Sequence, residues 1–105
     1  MPASKTHLFS EQQKRLAKLA KALGHPARIA ILELLSDKGA CVCGSIVEEL
    51  PLEQATVSQH LKAMKDVGLI QGNIEGAKVC YCLDISVCQE AMASLGGLFK
   101  RTGCC

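Results

Sequence analysis

The 105-residue chain has no tryptophan, and its aromatic residues are limited to Phe9, Tyr81 and Phe99. Single-stranded RNA is read largely by stacking splayed bases on aromatic side chains, and none of these three lies in an RNA-binding motif, so that partner is disfavoured. No stretch reaches the roughly 18 uninterrupted apolar residues of a membrane span, and the polar start MPASKTHLFSEQQKRL has no apolar core of a secretion signal. The expected location is therefore cytoplasmic, with no membrane partner. His7, His25 and His60 supply no H-x3-5-H pair, which argues against a zinc finger. Also missing are G-x-S-x-G, a P-loop, G-x-G-x-x-G and any nucleophile with a base and orienter in sequence context, so no enzyme is expected.

Apolar residues are plentiful, at 49% against 21% charged. The length suits a single domain over residues 1–105, which buries about 63% of its unfolded surface by size scaling. Such a small, apolar chain favours burying further surface against a partner, and an oligomer is expected. The net charge of +2 says little, but Lys5, Lys14, Arg15, Lys18, Lys21 and Arg28 face only Glu11 among the first 28 residues. That run suits either an acidic polymer or a solvated helix face.

Seven cysteines, Cys41, Cys43, Cys80, Cys82, Cys88, Cys104 and Cys105, fall as two C-x-C pairs, one single residue and a terminal C-C. A secreted disulfide scaffold usually spreads an even number along the chain, so reduced thiols are expected here. Cys80 and Cys82 lie two apart on a strand and share one face, where packing is the simpler role. Cys88 falls on an apolar helical stripe and reads as a small core residue.

Leu16, Leu19, Ala20 and Leu23 recur at helical spacing ahead of Gly24. The next segment, HPARIAILELLSDKG, has His25 at the N-cap position, Pro26 at the first helical position, an apolar stripe of Ala27, Ile31, Leu34 and Leu35, and Gly39 at the end. A third helical segment, CGSIVEELP, starts at Cys43 and stops at Pro51. The fourth, LEQATVSQHLKAMKDVG, buries Val57, Leu61 and Met64 and turns Ala55, Ser58, Gln59 and Lys62 outward. Short, hydrogen-bonding and cationic side chains of this kind can approach base edges and phosphates in a major groove. Two short helices joined by a tight turn, the second with a polar face, make a helix-turn-helix. LIQGNIEGAKVCYCLD then reads as a β-hairpin wing, and ISVCQEAMASLGGLFK as a last helix whose stripe of Cys88, Ala91, Met92, Leu95 and Phe99 suits a dimer seam. The expected architecture is mainly α with a β-hairpin, in the order α-α-α-α-β-β-α, followed by a flexible Cys-containing tail over residues 100–105.

LGHPARIAILELLSDKGACVCGSIVEEL, LEQATVSQHLKAMKDVGLI and GAKVCYCLD resemble, in order and spacing, the core motifs of the ArsR/SmtB family of bacterial metalloregulatory repressors. The resemblance spans residues 16–84 and centres on the V-S-x-H-L stretch Val57–Leu61. It implies a winged helix-turn-helix homodimer that binds double-stranded operator DNA and leaves it when a metal or metalloid binds. The expected DNA contacts are Gln54, Thr56, Ser58, Gln59, His60, Lys62, Lys65 and Lys78, with His60 as a phosphate contact or a structural hydrogen bond. CVC resembles the family's thiolate site for arsenic, cadmium and lead, so Cys41 and Cys43 are the expected metal ligands. Where the family often continues to a third cysteine, this chain has Ile46. Cys104 and Cys105 on the tail are the candidates to complete the set.

Thiolate is the ligand form of cysteine, and a helix N-terminus at Cys43 would favour it. Soft sulfur matches trivalent arsenic, as arsenite, a methylated arsenical or antimonite, and also Cd(II) and Pb(II). The expected function is an arsenic-responsive repressor. Cd(II)/Pb(II) or thiol-redox sensing by the same fold is the alternative, and a thiol-rich metal-sequestering protein is the alternative from another class.

Overall fold

A computed structural model describes residues 7–39, 41–43, 50–75, 78–101 and 103. Helix α1, Glu11–Ala22, begins with a capping box: the Gln13 backbone N–H donates to Ser10 Oγ at 3.0 Å and the Ser10 N–H donates to Gln13 Oε1 at 2.8 Å. Its buried residues are Leu19 and Ala22, whereas Ala20 is exposed, so the inner stripe is rotated slightly from the expected one. Helix α2, Pro26–Asp37, starts as its sequence predicts. His25 takes the N-cap with extended backbone, and its Nδ1 accepts from the Ala27 N–H at 3.0 Å. Ala27, Ile31 and Leu35 are buried and Leu34 is half-buried.

Strand β1, Cys41–Cys43, corrects the expectation of a loop turning into a helix at Cys43. The rest of the expected third helical segment, residues 44–49 including Ile46, lies outside the described residues. Helix α3, Gln54–Asp66, buries Val57, His60, Leu61 and Met64. It ends ahead of Gly68, whose φ of 87° is a left-handed conformation that favours glycine. Strands β2, Ile70–Glu75, and β3, Lys78–Leu83, form the wing, and helix α4, Ile85–Arg101, follows. The sheet is three-stranded and antiparallel in the order β1-β3-β2, one strand more than the hairpin expected. The reason is tertiary: C-V-C has no strand partner nearby in sequence, but V-C-Y-C lies alongside it in space, with Val42 opposite Tyr81. Gly72 is also opposite Tyr81, and a Cβ there would stand 3.2 Å from Tyr81 Cε1, so any larger residue would press the ring to shift by a few tenths of an ångström.

Two apolar clusters hold these elements. Ile31, Leu35, Val57, Leu61, Met64 and Ile70 join α2, α3 and the sheet, with Val42, Tyr81 and Leu83 packed against them. Leu19, Ala22, Leu69 and Ala91 join α1 and α4 to the turn after α3, with Val87 and Cys88 alongside. Burial of each large aliphatic side chain contributes roughly 1.5–3 kcal/mol. No described helix is long and apolar enough to cross a membrane.

Candidate nucleic-acid interface and thiol site

Helix α3 separates its two faces cleanly. Val57, His60, Leu61 and Met64 point into the core, while Gln54, Ala55, Ser58, Gln59, Lys62 and Lys65 are exposed along one side and Thr56 is half-buried at its edge. Exposed amide, hydroxyl and amine groups on one helical face can donate to base edges and phosphates. Lys62 Nζ lies 3.1 Å from Asp66 Oδ2, an exposed i,i+4 pair that a phosphate can replace. Lys78 opens β3 of the wing.

His60 is the exception among the expected DNA contacts. It is buried, and its Nδ1 accepts from Arg28 Nε–H at 3.0 Å while its ring lies 4.4 Å from that of His25. Of the two roles open to His60, the structure gives it the structural one and corrects its assignment as a DNA contact. Burial first, then the neighbouring His25 and Arg28, push its pKa below the ordinary histidine value. Sequence reasoning missed the other side of this contact, Arg28, whose guanidinium also donates to the Lys21 carbonyl at the end of α1 at 3.2 Å. One arginine on α2 thereby ties α1 to α3. Arg28 stands three residues before Ile31 and seven before Leu35, at the edge of the buried stripe, and periodicity marks that edge without naming the partner it meets.

Asp84 was also missed, although an Asp directly before a helical run is an N-cap signal. Its Oδ1 accepts from the Val87 N–H at 3.2 Å and from Ser86 Oγ at 2.8 Å, and Oδ2 accepts from Gln71 Nε2 at 2.7 Å. The Ser86 bond, then those to Val87 and Gln71, hold its carboxyl below the usual range. Asp84 therefore joins the start of α4 to the first strand of the wing. Farther along α4, Glu90 receives two hydrogen bonds from Arg15 of α1, at 2.9 and 3.1 Å.

The thiols are arranged differently from the sequence reading. Cys41 is directly opposite Cys82 and Cys43 is directly opposite Cys80, with Cα separations of 4.1 and 3.9 Å, and each pair is joined as a disulfide. The expectation of reduced thiols is corrected for these four, and so is a packing-only role for Cys80 and Cys82. Because Val42, Tyr81 and Leu83 pack on the core, alternation turns the four cysteines to the opposite face of the sheet. Cys41 and Cys43 are exposed there, Cys82 is half-covered and Cys80 is buried. Cys88 is a free thiol on α4 whose pKa burial pushes up. Cys104 and Cys105 lie outside the described residues. Among the described residues no group of three His, Cys, Asp or Glu stands ready to hold a metal ion, as sulfurs within a disulfide offer no thiolate.

A family model described as bacterial regulatory protein, arsR family, matches residues 25–71, from the His25 cap to the start of the wing's first strand. The transcriptional regulator CmtR of Mycobacterium tuberculosis is 36% identical over 84 residues, covering 80% of this chain and 70% of the relative. The arsenical resistance operon repressor of Staphylococcus xylosus is 35% identical over 71 residues, covering 68% and 67%. An ArsR-like transcriptional regulator from Rhodococcus sp. RHA1 shares the fold at a TM-score of 0.70 and 20% identity, over 90% of this chain and 85% of that one. The matched motifs and the shared winged helix-turn-helix fold identify this chain as a member of the arsR family of bacterial transcriptional regulators, DNA-binding proteins rather than enzymes.

Proposed function

We propose that the protein is a homodimeric repressor that leaves its operator when trivalent arsenic binds the thiolates of Cys41 and Cys43. The observation that carries this reading is Val42. It lies between the two cysteines and packs on the cluster that contains Val57, Leu61 and Met64 of α3. A ligand that gathers the flanking sulfurs pulls on Val42, and through it on the seat of the recognition helix. Differential binding of the inducer to the free and DNA-bound forms then weakens DNA binding by the same factor, typically about 1–3 kcal/mol. The arsenical resistance operon named for the Staphylococcus xylosus relative supports arsenic as the inducer. Exposed Met92 and Leu98 on α4, with Leu8 and Phe9 ahead of α1, supply apolar surface for a second copy.

The two disulfides favour a second reading, a repressor that responds to thiol oxidation. Gel-shift titration of the fully reduced protein against DNA upstream of its own gene separates the possibilities. Release by arsenite, and its loss in a Cys41→Ser, Cys43→Ser double variant, supports the arsenic reading. Release by oxidant alone supports the second. Failure to recognise that DNA supports metal sequestration.

A further inference from the structure

We infer that the wing completes the inducer site, so that reduced Cys80 and Cys82 join Cys41 and Cys43 in a four-thiol cluster from which trivalent arsenic takes three ligands. The inference rests on the reading of Cys41 and Cys43 as inducer ligands, and it replaces the C-terminal tail as the source of the third thiolate. The register is its basis: Cys41↔Cys82 and Cys43↔Cys80 place four sulfur-bearing side chains in two adjacent cross-strand rows on one face. Across each row the Cα atoms are 4.1 and 3.9 Å apart, and along each strand the rows are separated by about 6.6 Å. A soft centre that binds sulfur at about 2.3 Å, as zinc does, gathers its sulfurs within about 4 Å of one another. One cross-strand pair meets that spacing directly, and a side chain from the next row leans in to supply the third sulfur.

The surroundings select a soft ligand. The β2 residues on the same rows are Gln71, opposite Cys82, and Asn73, opposite Cys80, both neutral and exposed. The rows themselves carry no carboxylate or histidine; the carboxylate beside them, Asp84, is already engaged by Gln71, Ser86 and the Val87 N–H, which leaves little to attract a hard cation. Loading is a substitution without electron transfer: arsenite, As(OH)3, exchanges three As–O bonds for three As–S bonds, and each thiol proton leaves with a hydroxide as water. The disulfide form must first be reduced, each pair taking two electrons and two protons. A phosphine reductant does this in vitro, becoming a phosphine oxide with an oxygen from water, without competing for arsenic as a dithiol would. Once loaded, the site ties β3 of the wing to β1.

The test uses the reduced full chain without DNA, measuring arsenite affinity and the number of sulfurs around arsenic by X-ray absorption. Three sulfurs are expected in the wild type and in a Cys104→Ser, Cys105→Ser variant. Cys80→Ala alone or Cys82→Ser alone still leaves three sheet thiols, so affinity stays within about threefold. Together they leave two, and arsenite affinity falls at least about tenfold while that of a monomethyl arsenical, which needs two thiolates, changes less than about threefold. Alanine suits the buried Cys80 position, and operator binding by each variant reports that it is folded. Loss of the third sulfur in the tail variant, or its survival in the Cys80→Ala, Cys82→Ser variant, overturns the inference. Three-sulfur binding that follows the expected pattern but leaves operator affinity unchanged supports the site and sinks the release reading instead.

Discussion

Arg28 donates its Nε–H to Nδ1 of His60 over 3.0 Å, so the buried histidine of the recognition helix is held as a neutral acceptor, its remaining ring proton on Nε2. A second proton on the ring would abolish this bond and set a cation beside the arginine. The helix that carries the DNA-reading face is therefore fixed to α2 by a contact that is intact only while His60 is neutral.

Stability should accordingly fall in mild acid. His60 has a lower pKa in the folded than in the unfolded chain, so the unfolded chain binds the proton more readily. The contribution is complete above the ordinary value near 6.5 and is lost as pH falls from there through the depressed folded pKa. Urea unfolding between pH 8 and pH 5, compared with His60→Gln, isolates the effect from the other histidines. Equal pH slopes for the two proteins would show that His60 does not carry it.

On the proposed reading face, Gln59→Ala should lower the preference for operator over random DNA, since Gln59 is exposed there with an amide able to bond a base edge. Lys65→Ala or Lys78→Ala should weaken binding to all sequences and reduce the salt slope by about one for each phosphate left without its lysine. Lys62→Ala should behave similarly but more weakly, because its amine must first leave Asp66. Fluorescence anisotropy over a series of salt concentrations measures both quantities. An unchanged operator preference in Gln59→Ala would mean that another face of α3 reads the bases.

Local signals made the helices and wing legible. His25-Pro26 announced the start of α2, and Val57, Leu61 and Met64 at i, i+4 and i+7 announced the inner face of α3. Strand β1 was not legible, because three residues carry no periodicity and their partner lies some forty positions away. That single omission hid the cysteine cluster, as Cys41 and Cys43 meet Cys82 and Cys80 only across the β1–β3 pairing. His60 was half-legible: its motif marked it as special, but its direction depended on Arg28 from a different helix.

Val42→Ala should separate binding from response. The substitution keeps the cysteines but removes two methyl groups that bear on the α2–α3 cluster. Arsenite affinity of the reduced protein should change less than about threefold, while the factor by which arsenite weakens operator binding should shrink. Measuring both by titration, with and without DNA, checks this. A variant that keeps the full wild-type coupling would show that the signal does not pass through Val42.

Oxidation should silence the arsenic response while leaving DNA recognition in place. Both sheet disulfides consume the sulfurs of the proposed arsenic site, yet the structure with those disulfides still presents Gln54, Ser58, Gln59 and Lys62 on the open face of α3. Protein treated with a mild two-electron thiol oxidant, then freed of it, should bind operator within about threefold of the reduced form and resist release by arsenite. Reduction with a phosphine should restore release, and mass spectrometry of alkylated peptides confirms which pairs formed. Release of the oxidised protein at the ordinary arsenite concentration, with Cys41, Cys43, Cys80 and Cys82 all blocked, would place the inducer elsewhere on the chain. Loss of operator binding on oxidation alone would make the disulfides themselves the signal, because the change from dithiol to disulfide would then move α3 without any metalloid.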